Sequence, residues 1–137
     1  MIYRARTMNL LAGKADAVRA VSLRAAAYAN THYPGIHVEI LENIAGIQDQ
    51  IHMVTRCESL AALEAYEAKR SHDPGWLAFV TEVTEIQGTT DVVDNLYRVL
   101  PTDAHHAPEA ASEHAKFDTN HIPIGTPLLE DIEADAS

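Results

Sequence analysis

The 137-residue chain has a single cysteine, Cys57, which excludes an internal disulfide and a cysteine-rich zinc site. No apolar run approaches the roughly 20 residues that a membrane-spanning helix requires. The segment from Met1 to Arg6 lacks the long apolar stretch of a secretory leader, so a cytoplasmic location is expected. Basic residues are scarce. Ten Lys and Arg stand against twenty Asp and Glu, and a net charge of −10 repels a phosphate backbone, which argues against nucleic acid as a partner. Gly-x-Gly-x-x-Gly, the P-loop and Gly-x-Ser-x-Gly are all missing, so nucleotide and serine-hydrolase chemistry have no foothold. Internal repeats and low-complexity runs are absent too.

What remains is a chain of one domain's length, with 47% hydrophobic residues to build a core. Its charge is unevenly spread. Residues 1–100 hold nine of the ten basic groups, whereas the segment from Pro101 carries eight acids and only Lys116. Four of the six prolines (Pro101, Pro108, Pro123 and Pro127) also lie in that segment. A domain over 1–100 and an acidic, proline-containing arm over 101–137 are expected. Within the arm, 107–117 reads as a short helix, 122–129 as an apolar extended stretch that clasps a partner subunit or covers a pocket, and His105, His106, His114 and His121 as solvated linker residues.

Alternation over 1–8 predicts a strand and 9–13 its exit loop. Residues 14–30 are rich in helix formers, with Val18, Val21, Ala25 and Tyr28 on one stripe and Asp16 in the first turn. Tyr33, Pro34 and Gly35 end that helix. Two β-rich stretches, 36–44 and 48–57, flank Ala45, Gly46 and Ile47 and predict a hairpin. Ser59 then caps a helix carrying Leu60, Leu63 and Tyr66, and Asp73 with Pro74 starts another whose buried side is Trp76, Phe79, Val80 and Val83. A last strand covers 90–100. The order strand, helix, strand, strand, helix, strand is the split βαβ of a ferredoxin-like α+β domain, a four-stranded antiparallel sheet with helices on one face.

Side chains alternate across a strand, so each strand divides into two faces. One set (Tyr3, Ala5, Thr7; Ile36, Val38, Ile40; Ile51, Met53, Thr55, Cys57; Val93, Asn95, Tyr97, Val99) is expected to floor the helices. The other mixes Arg4, Arg6, His37, Glu39, Asn43, His52, Arg56, Asp94 and Arg98 with Ile2, Met8, Leu41, Val54 and Leu96. A solvated face would be more uniformly polar and a core would lack such charges, so this face is expected to be covered, with a polar cavity inside.

The run Ser59, Leu60, Ala61, Ala62, Leu63, Glu64, Ala65, Tyr66, Glu67, Ala68, followed by Ser71, His72, Asp73, Pro74, Gly75 and Trp76, resembles the second-helix region of the dimeric α/β-barrel superfamily. It is most similar there to the antibiotic-biosynthesis-monooxygenase-like and NIPSNAP-like members, and the resemblance covers roughly residues 1–100. It implies a homodimer built by pressing two open sheet faces together. Members include cofactor-free oxygenases of aromatic polyketides, polyketide cyclases, haem-degrading monooxygenases and dehydratases. The haem degraders use a first-strand asparagine, a helix tryptophan and a helix histidine. Here Asn9 stands near the first, Tyr66 replaces the tryptophan and His72 sits at a helix break, a departure that argues against haem.

These readings give a cofactor-independent enzyme acting on a small aromatic or polyketide-like molecule through an enolate or phenolate, by oxygenation or by cyclisation or isomerisation. In it, His37 or His52 moves a proton, Glu39 orients a histidine, and Arg4, Arg6, Arg56 or Arg98, with Asn43, holds the substrate's anionic oxygen. No organic cofactor is implied. The competing reading is a non-catalytic binding or assembly protein of the same fold, in which the charges are interface ion pairs. Two histidines and a carboxylate would also suit non-haem iron or zinc, but no spacing motif fixes three ligands around a point, so no metal is expected. Trp76 and Cys57 read as core.

Overall fold

Two short polar side chains fix where the later helices begin. Ser59 accepts a hydrogen bond from Ala62 N at the start of α2 (Leu60–Arg70), and Asp73 accepts one from Gly75 N at the start of α3 (Pro74–Gln87), where Pro74 fills the first position. In the computed structural model, which describes residues 1–102, these helices join β1 (Ile2–Asn9), α1 (Ala15–His32), β2 (His37–Glu42), β3 (Gln50–Cys57) and β4 (Val92–Arg98). Met1–Val99 forms one compact unit, and the readings made for residues 103–137 lie outside the described residues. The connection between β2 and β3 is longer than the sequence suggested. It runs over 43–49, with Gly46 and Asp49 at positive φ.

The sheet has the order β2-β3-β1-β4, every neighbouring pair antiparallel, with the helices on one face. This is the ferredoxin-like α+β arrangement, with its second helix split in two. Helix α1 buries Val18, Val21, Ser22, Ala25, Ala26 and Ala29. Small side chains on that stripe let the helix approach the sheet closely, over Val38 of β2 and Ile51 and Cys57 of β3. Tyr28 lies beside the stripe and is half-buried. An aromatic group of Tyr28, Tyr33, Tyr66, Trp76 and Phe79, in edge-to-face pairs with centroids 5.1–6.5 Å apart, ties the three helices together. Trp76 and Cys57 are buried, as the sequence implied.

The register overturns half of the face assignment. Arg4 lies opposite Thr55, Arg6 opposite Met53 and Met8 opposite Ile51, and residues paired across strands share a face. Ile2, Arg4, Arg6 and Met8 therefore point toward the helices, and Tyr3, Ala5 and Thr7 point away. The pairing of β1 with β4 carries Val92, Asp94, Leu96 and Arg98 to the helix side and Val93, Asn95 and Tyr97 to the open side. The expectations for β2 and β3 hold. Burial follows the register: Arg4 is 4% exposed. The reversal has a chemical cause. An arginine goes under a helix only where an anion receives it, and α2 supplies Glu67 there.

Candidate functional site

Helix α3 packs along α1 rather than down on the sheet, and the space beneath it is a cavity of about 380 Å³. Met8, Ile51 and Met53 form the floor, Val21 and Ala25 of α1 one wall, and Trp76, Phe79, Val80 and Val83 of α3 the other. Val80, expected in the core, is instead about half exposed, because it faces this space and not packed atoms. Arg6, Glu67, Arg70 and Ser71 make the cavity polar at one end.

That end is an arginine cluster built from two elements. Period-2 alternation places Arg4 and Arg6 on one face of β1, and Glu67 and Arg70 occupy one face of α2 at a spacing of three. The two carboxylate oxygens of Glu67 are shared: Oε1 pairs with Arg4, and Oε2 accepts from Arg70 Nη2 at 2.6 Å and Nε at 3.2 Å. Arg4 also donates to Thr55 Oγ1 at 3.3 Å. Arg6 is held in a two-pronged pair with Asp94 of β4 at 2.8 and 2.6 Å. The Arg70 guanidinium lies 5.1 Å from the ring centroids of both Tyr66 and Trp76. Tyr66 is buried, and its hydroxyl has no hydrogen-bond partner among the described residues.

The electrostatics follow from this crowding. Burial first, then the charges of Arg70 and Arg6, bring Arg4 down to about 10, which leaves it protonated at neutral pH. Burial likewise lowers Arg70. Tyr66 is pushed up by burial against the opposing pull of Arg70 and Arg4, so its phenol stays protonated and can donate. Hydrogen bonding to Arg6 pulls Asp94 below the ordinary carboxylate range. Arg6, Arg70 and Glu67 thus line the polar end of an apolar cavity, with Arg4, Asp94 and the Tyr66 ring beside them, and the excess of positive charge suits that end to receiving one further negative oxygen.

The residues picked out in the sequence divide between two faces. Arg4 and Arg6 belong to the cavity side, and Arg98 lies on the same side at the exposed edge strand β4. His37, Glu39, Asn43, His52 and Arg56 belong to the open side. Nor are the two histidines together. His37 lies opposite Arg56 and His52 opposite Leu41, four residues along each strand, a separation of roughly 13 Å. His37 Nε2 and Arg56 both meet Glu39 Oε1, at 3.1 and 3.3 Å, among side chains between a third and a half exposed. His52 is bracketed by Thr7 Oγ1 at Nδ1 and Asn43 Oδ1 at Nε2, both 2.8 Å. Sequence reasoning passed over Glu67, Arg70 and Tyr66 as site residues. Their i, i+3 and i, i+4 spacing on one helix was the available signal. No group of three or more His, Cys, Asp or Glu able to hold a metal occurs among the described residues. No helix there is long and apolar enough to cross a membrane.

No protein-family model matches the chain, and no curated protein matches it in sequence. Solved structures do resemble it. A protein from Agrobacterium tumefaciens superposes with a TM-score of 0.62 at 19% identity, covering 76% of this chain and 98% of its own. A NIPSNAP domain protein from Burkholderia xenovorans gives 0.58 at 16% identity over 75% of this chain and 100% of its own. A candidate antibiotic biosynthesis monooxygenase from Deinococcus radiodurans gives 0.59 at 14% identity over 75% and 96%. At such identities the likeness establishes architecture. The chain shares with these proteins the ferredoxin-like fold.

Proposed function

We propose that the protein takes a small aromatic or polyketide-like molecule into the cavity between α3 and the sheet and holds it there as an enolate or phenolate. The observation that carries this is Arg70, buried between the Tyr66 and Trp76 rings at the polar end of an otherwise apolar space. An acidic C–H or O–H beside a carbonyl ionises more readily when a fixed guanidinium awaits the oxyanion, because its N–H dipoles need no reorganisation as charge develops. The proton goes to solvent or to a basic group of the substrate, and the electron-rich carbon left behind is primed for attack on dioxygen or on a carbonyl of the same molecule. As an enzyme, the protein would use no organic cofactor for either reaction.

A specific observation favours binding without turnover. Glu67, which lines the cavity, and Asp94, paired with Arg6 beside it, are both engaged by arginines, so neither is a free base. Anthrone separates the two readings. Protein that stabilises its enolate shows the enolate absorbance at a pH where anthrone alone stays neutral; a monooxygenase also consumes dioxygen, and a binding protein does not. An unchanged anthrone spectrum would overturn the proposal in both forms.

The homodimer belongs to the same reading. The open sheet face carries Tyr3, Val54, Leu41, Val93 and Tyr97 around the two histidine groups, with Leu41, Val93 and Tyr97 about half exposed, and a second copy would cover it. His37, Glu39, His52 and Arg56 then serve that interface.

A further inference from the structure

We infer that Glu67 is a built-in stand-in for the ligand's own acid group, and that the molecule this cavity accepts is an aromatic carboxylic acid whose carboxylate takes the place of Glu67 between Arg4 and Arg70. This rests on the reading of the cavity as the ligand site. The partners in that ion pair are unequally buried. The side chains of Arg4 and Arg70 are 5% and 8% exposed, whereas Glu67 is 38% exposed and lines the cavity. Two arginines this deeply buried, one on β1 and one at the end of α2, cannot follow their counter-ion into water, and leaving them unpaired is costly. The carboxylate is the member free to move, because its flexible stem can swing toward solvent while another anion replaces it.

The bridge also defines what fits. Glu67 gives one oxygen to each arginine, so the seat is shaped for a planar group with two oxygens carrying one charge. Exchanging carboxylate for carboxylate leaves the charge of the cluster and the pairing of both guanidiniums unchanged. Arg6 lies outside the exchange, since Asp94 occupies it in a two-pronged pair of its own. The apolar floor and Trp76 wall take the ring system that such an acid carries. Glu67 thereby sets specificity. It competes with any acid at the high effective concentration of a tethered group, which screens out weakly bound anions lacking an apolar body.

Calorimetric titration of 2-naphthoate and of its neutral methyl ester into the wild-type chain and Glu67→Gln tests this. The wild type binds the acid, and Glu67→Gln binds it about tenfold more tightly or better, because the tethered competitor is gone, while ester affinity is unchanged. If Glu67→Gln fails to fold, Glu67→Asp, whose shorter stem cannot span both arginines, shows the same rise to a smaller degree. Equal acid affinity in the wild type and the folded variant, or weaker binding by the variant, overturns the role of Glu67 and leaves the cavity standing. If neither compound binds the wild type, the proposed function falls together with the inference.

Discussion

Arg70 gathers more of the candidate site than any other side chain, since it pairs with Glu67 and stacks near both Tyr66 and Trp76. Replacing it with Met keeps the length and apolar stem while removing the charge, so anion binding is expected to weaken by roughly 10- to 100-fold with the affinity for neutral aromatics retained. Titration of an acid and its ester against Arg70→Met checks this directly. Asp73 acts at a distance from the ligand. Its carboxylate accepts hydrogen bonds from Tyr33 at 2.5 Å, Tyr28 at 2.9 Å and Gly75 N at 2.9 Å, and the Tyr33 bond is the largest cause of its lowered pKa. A carboxylate depressed on folding stabilises the native state fully above its ordinary value of 3.8, and that contribution is lost as pH falls through the lower folded value. Thermal melts from pH 6 down to pH 2 should therefore fall more steeply for the wild type than for Asp73→Asn. Parallel curves would contradict this. Gly75 is fixed by the same group: a Cβ there would run into the Tyr28 hydroxyl, so Gly75→Ala is expected to push Tyr28 off Asp73 and lower the melting temperature.

The helices show how much of the molecule is written locally. Ser59 and the Asp73-Pro74 pair announced two helix starts correctly because capping needs only neighbours in sequence. Ser59→Ala is expected to cost about 1 kcal/mol, read as a lower denaturant midpoint with unchanged slope. Leu63, buried under α2, should cost about 2–5 kcal/mol when cut to Ala. Faces of strands were less legible. For β2, alternation of Val38 and Ile40 with His37 and Glu39 settled the matter. In β1, Ile2 and Met8 share a face with Arg4 and Arg6, so apolar and charged signals conflict, and β4 has valines on both sides. The conflict resolves only when α2 is placed above β1 and Glu67 receives Arg4, a contact 63 residues apart in the chain that no local pattern encodes. The candidate site was half legible for the same reason: Arg4 and Arg6 of β1 stood out as anion-holding residues, whereas Glu67 and Arg70 lie on a helix read for its apolar stripe.

At the scale of the whole molecule, the two faces of the sheet divide the work. The helix side carries the cavity and its arginines, and the open side carries half-exposed apolar residues between two separate histidine groups. Val54 sits on that open face, opposite Glu39 on one side and Ala5 on the other. A second copy pressed onto this face, as proposed, would have to bury that charge if Lys stood there, so sedimentation velocity should show Val54→Lys as a monomer and the wild type as the expected dimer, with the cavity still able to bind acid. A monomeric wild type would refute the interface. The ligand's location is decided most directly by a crystal structure of the chain grown with 2-naphthoate. The expected density is a ring system between Trp76 and Met53 with its oxygens at Arg70. Density on the open face, among His37, His52 and Arg56, with the helix-side cavity lacking it, would contradict the account.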